Sequence, residues 1–381
     1  MTDFDIAVVG GGIAGVSAAY ELSKTHRVVL AESEAQLAHH STGRSAAMFI
    51  PNYGYGAARP LTVASYRFFS EPPEGLADAP LLSPRGVLWV ARPDETSLLP
   101  EIARAGEASG SRVIELTPEE AREKVPVLRL ERTGGAVWEP DPQELDVAAT
   151  HQLYVRGLRR NGGTVLTSAP VTSLERSEGK WRVEAGDSVL TCEVVVNAAG
   201  AWGDTVASLV GLSPVGLQPL RRTAFMVTGD MDWAAWPMVV SAAHDYYFKP
   251  DGPQVLCSPS DETPSEPVDA RPDPLDVALA IEKINEATTL EIRSVRSEWA
   301  GLRTFAPDRD LVIGPDPEEP TFFWMVGQGG TGIQAAPATA ELLAALVRGE
   351  SVPAHIEAVG VDLEDVSPAR PALAEARLAS R

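Results

Sequence analysis

The stretch Asp5-Ile6-Ala7-Val8-Val9-Gly10-Gly11-Gly12-Ile13-Ala14-Gly15 decides the fold. The run before Gly10 is apolar without alternation, the pattern of a strand buried on both faces of a parallel sheet. Residues 13–24 continue with Ala and Leu at helical spacing, and residues 27–32 form a second strand. Between strand and helix, Gly10, Gly12 and Gly15 satisfy G-x-G-x-x-G. Each glycine serves a mechanical purpose, in turn the tight turn, close approach of a pyrophosphate to the backbone, and close helix-on-strand packing. The helix start, with Ile13 and Ala14, adds free N–H groups and a partial positive charge. Glu32 ends the second strand with Ser33 beside it, placed to accept hydrogen bonds from ribose hydroxyls.

This fingerprint implies a bound dinucleotide but does not separate NAD from FAD. The far end of the chain does. Gln328-Gly329-Gly330-Thr331-Gly332 follows a buried strand and precedes a helix, a second place where backbone amides approach a cofactor. An extended FAD needs that closing element, because its flavin ring lies far from the adenine; an NAD dehydrogenase has no particular need of it.

Further out, residues 71–142 read as short strands and prolines with one helical patch at 118–124. A helix over 145–160 stops at Asn161-Gly162-Gly163, and alternating strands over 164–184 suggest a small meander. Val194-Val195-Val196 is another buried strand, leading into Asn197-Ala198-Ala199-Gly200. Strands return over 217–301 around a helix at 276–288. The Ser, Pro, Ala and Arg content after Glu364 suggests a loosely held tail. Rossmann-like pieces at the start, middle and end imply interleaved domains.

Bulk composition removes whole classes of function. Fifty-three acids against 32 bases give a formal charge of -21 over 381 residues, a surface that repels nucleic acid and anionic lipid. No apolar run approaches the roughly 18 residues of a membrane span. The chain enters a buried strand at once, without the basic and apolar segments of a signal peptide, so a cytoplasmic protein is expected. Cys192 and Cys257 sit in unrelated apolar strands and read as buried thiols. His26, His39, His40, His151, His244 and His355 are scattered, none at a ligand spacing from an acid or cysteine, so no metal is expected. No nucleophile elbow supports serine hydrolase chemistry.

Several motifs together resemble the glycine oxidase and D-amino-acid oxidase group of flavoproteins, over about residues 3–360. They are the glycine loop with Glu32, Ser41-Thr42-Gly43-Arg44-Ser45-Ala46-Ala47, Asn197-Ala198-Ala199-Gly200-Ala201-Trp202, Trp299-Ala300-Gly301-Leu302-Arg303 with Pro307-Asp308, and residues 328–332. The segment 40–47, and Leu217-Gln218-Pro219 with Arg221-Arg222, particularly resemble D-arginine dehydrogenase. The resemblance implies an α/β fold: a Rossmann-type FAD-binding domain (1–46, 145–215 and 305–362) interleaved with an α+β substrate domain on a large, mostly antiparallel sheet (47–144 and 216–304), before a tail at 363–381. It places Ser41, Thr42, Arg44, Ser45 and Ala46 along the pyrophosphate and flavin, Val171 at the adenine, and Ala199 and Gly200 near the cofactor. Gly330, Thr331, Gly332, Ile333 and Gln334 fall at the carbonyl edge of the ring. Some relatives attach the flavin through a cysteine; neither cysteine here falls at that place, so FAD is expected to be non-covalent.

Flavin oxidation of an amine asks little acid–base work of the protein. Hydride passes from Cα to flavin N5 while the nitrogen lone pair forms an imine that hydrolyses. The protein must position Cα and neutralise the carboxylate, so no side chain is assigned as catalyst. By the resemblance Arg303 is the carboxylate clamp, since a guanidinium meets a carboxylate with two parallel donors that lysine cannot reproduce. Arg222 and Tyr247 match further substrate contacts, although Arg221 could take the inward place of Arg222. Tyr53 lies in the Gly-flanked loop 51–56, a candidate lid. Val87 stands where D-arginine-preferring relatives carry an acid and Met48 where they carry a histidine; Met238 and Val240 add apolar wall. An unpaired cationic side chain would be desolvated there without return.

Two substrate classes remain. The apolar wall favours the first, a D-amino acid with an apolar side chain; the alternative is an N-substituted glycine, which would release glyoxylate and an amine. A flavin-binding protein without turnover is a third reading. Oxygen or another acceptor would reoxidise the flavin.

Overall fold

The computed structural model describes residues 2–229 and 231–379. At its centre is a six-stranded sheet in the order Thr164–Leu166, Val28–Ala31, Ile6–Val9, Val194–Asn197, Phe322–Val326, Val312–Pro315. The first five strands are parallel, and Val312–Pro315 closes the edge antiparallel. Ile6–Val9 is buried throughout because both faces are covered. Ile6 and Val8 pack with helices Ile13–Ser23 and Gly332–Arg348, and Ala7 and Val9 with Trp181, Val183 and Trp324. The latter side belongs to a small four-stranded sheet that includes the antiparallel strands Val171–Ser177, Lys180–Ala185 and Ser188–Cys192.

A nine-stranded sheet roofs this core. It is antiparallel except where Met238–Ser241 runs parallel to Val87–Ala91. Period-two alternation divides its side chains. Leu88, Val90, Phe225, Val239, Phe248 and Cys257 face the helix Pro274–Ala287, which presents Val277, Ala280 and Ile284. Val87, Trp89, Ala224, Met226, Met238, Val240, Tyr247 and Leu256 face the other way and cluster with Met48, Ile50 and Tyr53.

Two findings differ from what the sequence predicts. The region before 118 holds the additional helices Ala58–Ser70 and Leu99–Ala108. The first buries Ala58, Leu61, Thr62, Ser65 and Phe69, a helical period broken in appearance by polar members; Ser65 and Thr62 bond to helix carbonyls, and Ser65 Oγ also accepts from Ala338 N–H. The end of the chain is docked, not loose. Arg370 forms an ion pair with Asp308 at 2.7 Å and donates to the carbonyl of Leu311, while Val366 and Leu373 are fully buried. The last residues of the expected tail, 380–381, lie outside the described residues. Among the described residues no helix is long and apolar enough to cross a membrane.

Candidate active site

The glycine loop is folded as its spacing demands. Gly10 has φ +109°, and a Cβ there would lie 2.5 Å from the carbonyl oxygen of Ala198. A Cβ on Gly15 would lie 1.8 Å from the carbonyl oxygen of Gly10, so helix and strand approach only because both are glycine. Helix Ile13–Ser23 has no side-chain cap from Gly12 and no acid in its first turn. Its start therefore keeps its positive character for a ligand. The loop is stiffened from outside: Ile13 N–H donates to Thr42 Oγ1 at 3.0 Å, Gly11 N–H to Glu32 Oε2 at 2.6 Å, and His151 Nε2 lies 3.0 Å from the Gly11 carbonyl. Burial holds His151 below the usual histidine range.

A cleft of about 470 Å³ runs from this loop to the underside of the roof sheet. Of the residues singled out for a cofactor, Gly10, Gly12, Ile13, Ala14, Glu32, Ser33, Ser41, Thr42, Arg44, Ser45, Ala46, Val171, Ala199, Gly200, Gly330, Gly332 and Ile333 line it. Gly15, Thr331 and Gln334 do not. Thr331 and Gln334 are buried behind the wall, where Thr331 donates to the Gln328 carbonyl. Gln334 Oε1 accepts from Ile50 N–H, and its Nε2 donates to the Tyr53 carbonyl. The Arg44 guanidinium is committed to protein acceptors: Asp269 at 2.5 Å, and the carbonyls of Ala270, Ala300 and His39. Its charge is answered by Asp269, so it braces the wall between the loop and the roof.

The roof contributes Arg222, Ala224, Tyr247, Gly301 and Arg303 to the cleft. Register explains this grouping. Arg222 pairs with Gly301 and Leu220 with Arg303 on the antiparallel strands Gln218–Val227 and Ser297–Phe305, so the two arginines are diagonal neighbours on one face. Arg221 points to the opposite face and is paired with Asp276 and Asp261. Arg303 donates to the Tyr53 hydroxyl at 2.8 Å, and among the described residues no carboxylate reaches it within ion-pair distance. Arg222 donates to the Asp261 carbonyl and to Glu262. Burial, and then the neighbouring Arg303, pull its pKa below the ordinary arginine value.

The four apolar residues expected to line a side-chain pocket are brought together, but not on the cleft. Met48, Val87, Met238 and Val240 are buried among one another and Trp89, in a cluster whose Tyr247 and Ala224 do line the cavity. Charged groups share that sheet face. Lys249 pairs with Glu144 at 2.5 Å, as does Arg85. Glu139, the cross-strand partner of Val87, accepts from Trp89 Nε1 at 2.7 Å and from Asn52 at 2.9 Å. Burial pushes the Glu139 carboxyl above its usual range, with the Trp89 and Asn52 bonds opposing. Loop 51–56 is thus fastened at several points, by Asn52 to Glu139, Tyr53 to Arg303, and the Ala57 N–H to Asp310.

Some lining groups carry no signal in the sequence. Gln328 Nε2 is buried at the cleft wall without a partner among the described residues. Spacing leaves His40 unpaired, yet its Nε2 lies 3.1 Å from Glu34 Oε1 and its ring packs on Trp202. His355 likewise meets Glu341 at 3.3 Å. Glu34, His39 and His40 bring ligand-type atoms within 4.8 Å of one another, through the His40–Glu34 hydrogen bond and the edge contact of the two histidine rings. Both cysteines are buried away from the cleft, and burial raises the Cys192 thiol to about 12.

Fold and cleft together have the form of a dinucleotide-binding protein, with two guanidiniums lining the wall opposite the glycine loop. The family follows from comparison: the model described as DAO, FAD dependent oxidoreductase, matches residues 5–346, and the chain belongs to that family. It is 25% identical over 358 residues to a glycine oxidase of Bacillus licheniformis, covering 92% of this chain and 94% of that one. It is 24% identical over 398 residues to FAD-dependent oxidoreductase domain-containing protein 1 of Bos taurus, covering 90% and 81%. The crystal structure of glycine oxidase from Geobacillus kaustophilus superposes with a TM-score of 0.85 at 22% identity, covering 97% and 99%. This chain is therefore an FAD-dependent oxidoreductase, in a family that oxidises amino-acid-like substrates.

The residues present fit FAD. The first turn holds no acid, and Glu32 keeps about one of its roughly four acceptor positions beyond those given to Gly11, Ser33 and Glu34. Gln328 offers an orphaned amide donor at the wall. No thiol lines the cleft among the described residues, in keeping with a non-covalent cofactor.

Proposed function

We propose that this enzyme oxidises the C–N bond beside a carboxylate, and that Arg303 holds that carboxylate. One observation carries the reading: a guanidinium lining the cleft without an acidic partner, in a chain of net charge -21. An uncompensated, part-buried cation at that place is best explained by an anionic ligand that completes it. Tyr53, bonded to Arg303, fixes its fork, and Tyr247 bounds the seat on the side away from the glycine loop.

The lining residues of the glycine loop and of 41–46 would hold the dinucleotide, with Glu32 on the ribose, Val171 near the adenine, and residues 330–333 by the flavin. The six-stranded sheet and its helices would be the FAD-binding domain, the roof sheet the substrate-binding domain. FAD supplies the two-electron acceptor for the Cα hydride. The protein's own part is to orient the amine and keep its carboxylate on Arg303; the amine must be neutral to release its lone pair into the C=N bond, and water then hydrolyses the imine. Oxygen or another acceptor takes the electrons onward.

Between the two substrate classes, the geometry favours glycine or an N-substituted glycine. The apolar residues that would welcome a hydrophobic side chain are packed against one another and do not line the cleft. The glycine oxidase relative supports the same choice. The test is product analysis after anaerobic turnover with glycine, sarcosine, N-ethylglycine and D-amino acids. Glyoxylate from the glycines is the expected product. Oxo acids formed preferentially from D-leucine or D-phenylalanine would overturn this choice.

A further inference from the structure

Two carboxylates lie against the inner face of the roof, and they are treated differently. Glu144 is answered by Lys249 and Arg85. Glu139 is fully buried, and among the described residues no cation comes within ion-pair distance of it. Its partners are all donors: Trp89 Nε1 at 2.7 Å, Asn52 Nδ2 at 2.9 Å, and the Ser111 hydroxyl. Helix Leu99–Ala108 seals it, since a Cβ on Gly106 would lie 3.2 Å from Glu139 Oε2. A buried acid without a cation is costly, and an apolar side chain would fill the same strand position without that cost. Trp89 is kept in place by its own strand pairing. Asn52 lies in a loop, and among the described residues its side-chain amide bonds to Glu139 alone. Holding Asn52 is what the carboxylate does and an apolar group would not.

The loop passes this grip to the seat. Asn52 precedes Tyr53, whose hydroxyl accepts from Arg303 at 2.8 Å and whose carbonyl accepts from Gln334 Nε2 at 3.3 Å. A Cβ on Gly330 would lie 2.6 Å from the Tyr53 hydroxyl and 3.2 Å from Arg303 Cζ, so both groups rest against that glycine at the cleft wall. The contact has little slack. A displaced loop either stretches the Tyr53–Arg303 bond or presses the hydroxyl onto the glycine. An ionised carboxylate accepts and does not donate, so Glu139 also fixes which end of the Asn52 amide faces inward.

We infer that Glu139 and Asn52 are positioning residues for the carboxylate seat: Glu139 holds Asn52, Asn52 sets the place of Tyr53, and Tyr53 orients the Arg303 fork. Neither of the two lines the cleft, and both act through Tyr53. The inference rests on the proposed role of Arg303 and adds no step to the chemistry.

The test measures how tightly the FAD-loaded enzyme binds methoxyacetate, whose ether oxygen replaces the oxidisable nitrogen, by calorimetry and by perturbation of the flavin spectrum. Arg303→Met should weaken binding at least about tenfold. Asn52→Ala and Glu139→Met should each weaken it about fivefold with FAD content unchanged. Glu139→Gln, which can still accept from Asn52, should lose less. The decisive readout is coupling, which general loosening of the fold does not produce. In a Tyr53→Phe background, Asn52→Ala should cost less than about a further factor of two. Binding within a factor of about two of the parent in both Asn52→Ala and Glu139→Met, or a full additive loss on top of Tyr53→Phe, would overturn the positioning role while leaving Arg303 as the anchor. Unchanged binding in Arg303→Met would instead sink the anchor, and this inference with it. Asn52→Ala alters the loop alone and decides the matter should Glu139→Met not fold.

Discussion

On the floor of the cleft, residues 10–14 present backbone; on the roof, Arg222 and Arg303 present side chains. The floor works through the absence of atoms, since a Cβ on Gly10 or Gly15 would strike main chain. The roof works through register, since the two arginines meet only because Arg222 pairs with Gly301. The floor is one local segment that any dinucleotide enzyme can reuse, and its chemistry is indifferent to the substrate. The roof is assembled from distant strands, and a slip of one residue in either strand would turn its arginine to the other face. Cofactor binding and substrate choice should therefore fail separately.

The largest effect is expected on the floor. Gly15→Ala drives a methyl into the Gly10 carbonyl and should cost on the order of 4 kcal/mol of stability. The protein should emerge colourless, losing FAD and activity together. Arg303→Met should keep its FAD and its melting temperature, while kcat/KM falls by about 30-fold or more, the scale of about 2–5 kcal/mol for removing one partner of a buried charge pair. Loss of FAD in that variant would break the distinction between floor and roof. Arg370→Leu lies outside both and strips the ion pair to Asp308 and the bond to the Leu311 carbonyl; about 2 kcal/mol of stability should go, read by thermal unfolding. Tyr53→Phe removes one hydrogen bond to Arg303 and should cost about 1 kcal/mol in kcat/KM.

The smallest effect concerns the fastening of loop 51–56. The Glu139 carboxyl is raised above the ordinary 4.5, first by burial. A raised carboxyl favours folding when protonated, so its contribution is full below the ordinary value and is lost as pH rises through the raised one. Glu139→Gln lacks that titration. Its melting temperature relative to the parent should therefore climb as pH increases above 4.5, and a flat difference across that window would remove Glu139 as a buried charge.

What the sequence makes legible follows the same division. Glycines 10, 12 and 15 with Glu32, and the segments 41–46, 197–200 and 328–332, each carry their meaning within a few residues, and most of them line the cleft. Arg303 is marked by its motif, whereas the choice of Arg222 over Arg221 needs the strand pairing. Val87 looks like a plain apolar substitution; that Glu139 stands opposite it, bonded to Asn52, depends on a cross-strand contact no spacing reveals. Helix Ala58–Ser70 is hidden because Thr62 and Ser65 occupy its buried face, satisfied by helix carbonyls. The end of the chain looks loose because its composition is polar, yet one arginine, Arg370, reaches Asp308 and pins it. Local motifs survive translation into one dimension, and long-range pairings do not.

The central claim is tested most directly by anaerobic mixing of the holoenzyme with paired amines that differ only in the carboxylate, sarcosine against ethylmethylamine, while the oxidised flavin absorbance is followed. We expect the carboxylate-bearing member to bleach the flavin and its partner to leave it oxidised, with Arg303→Met abolishing the difference. Equal bleaching by both members in the parent enzyme would contradict an arginine-anchored carboxylate as the basis of catalysis.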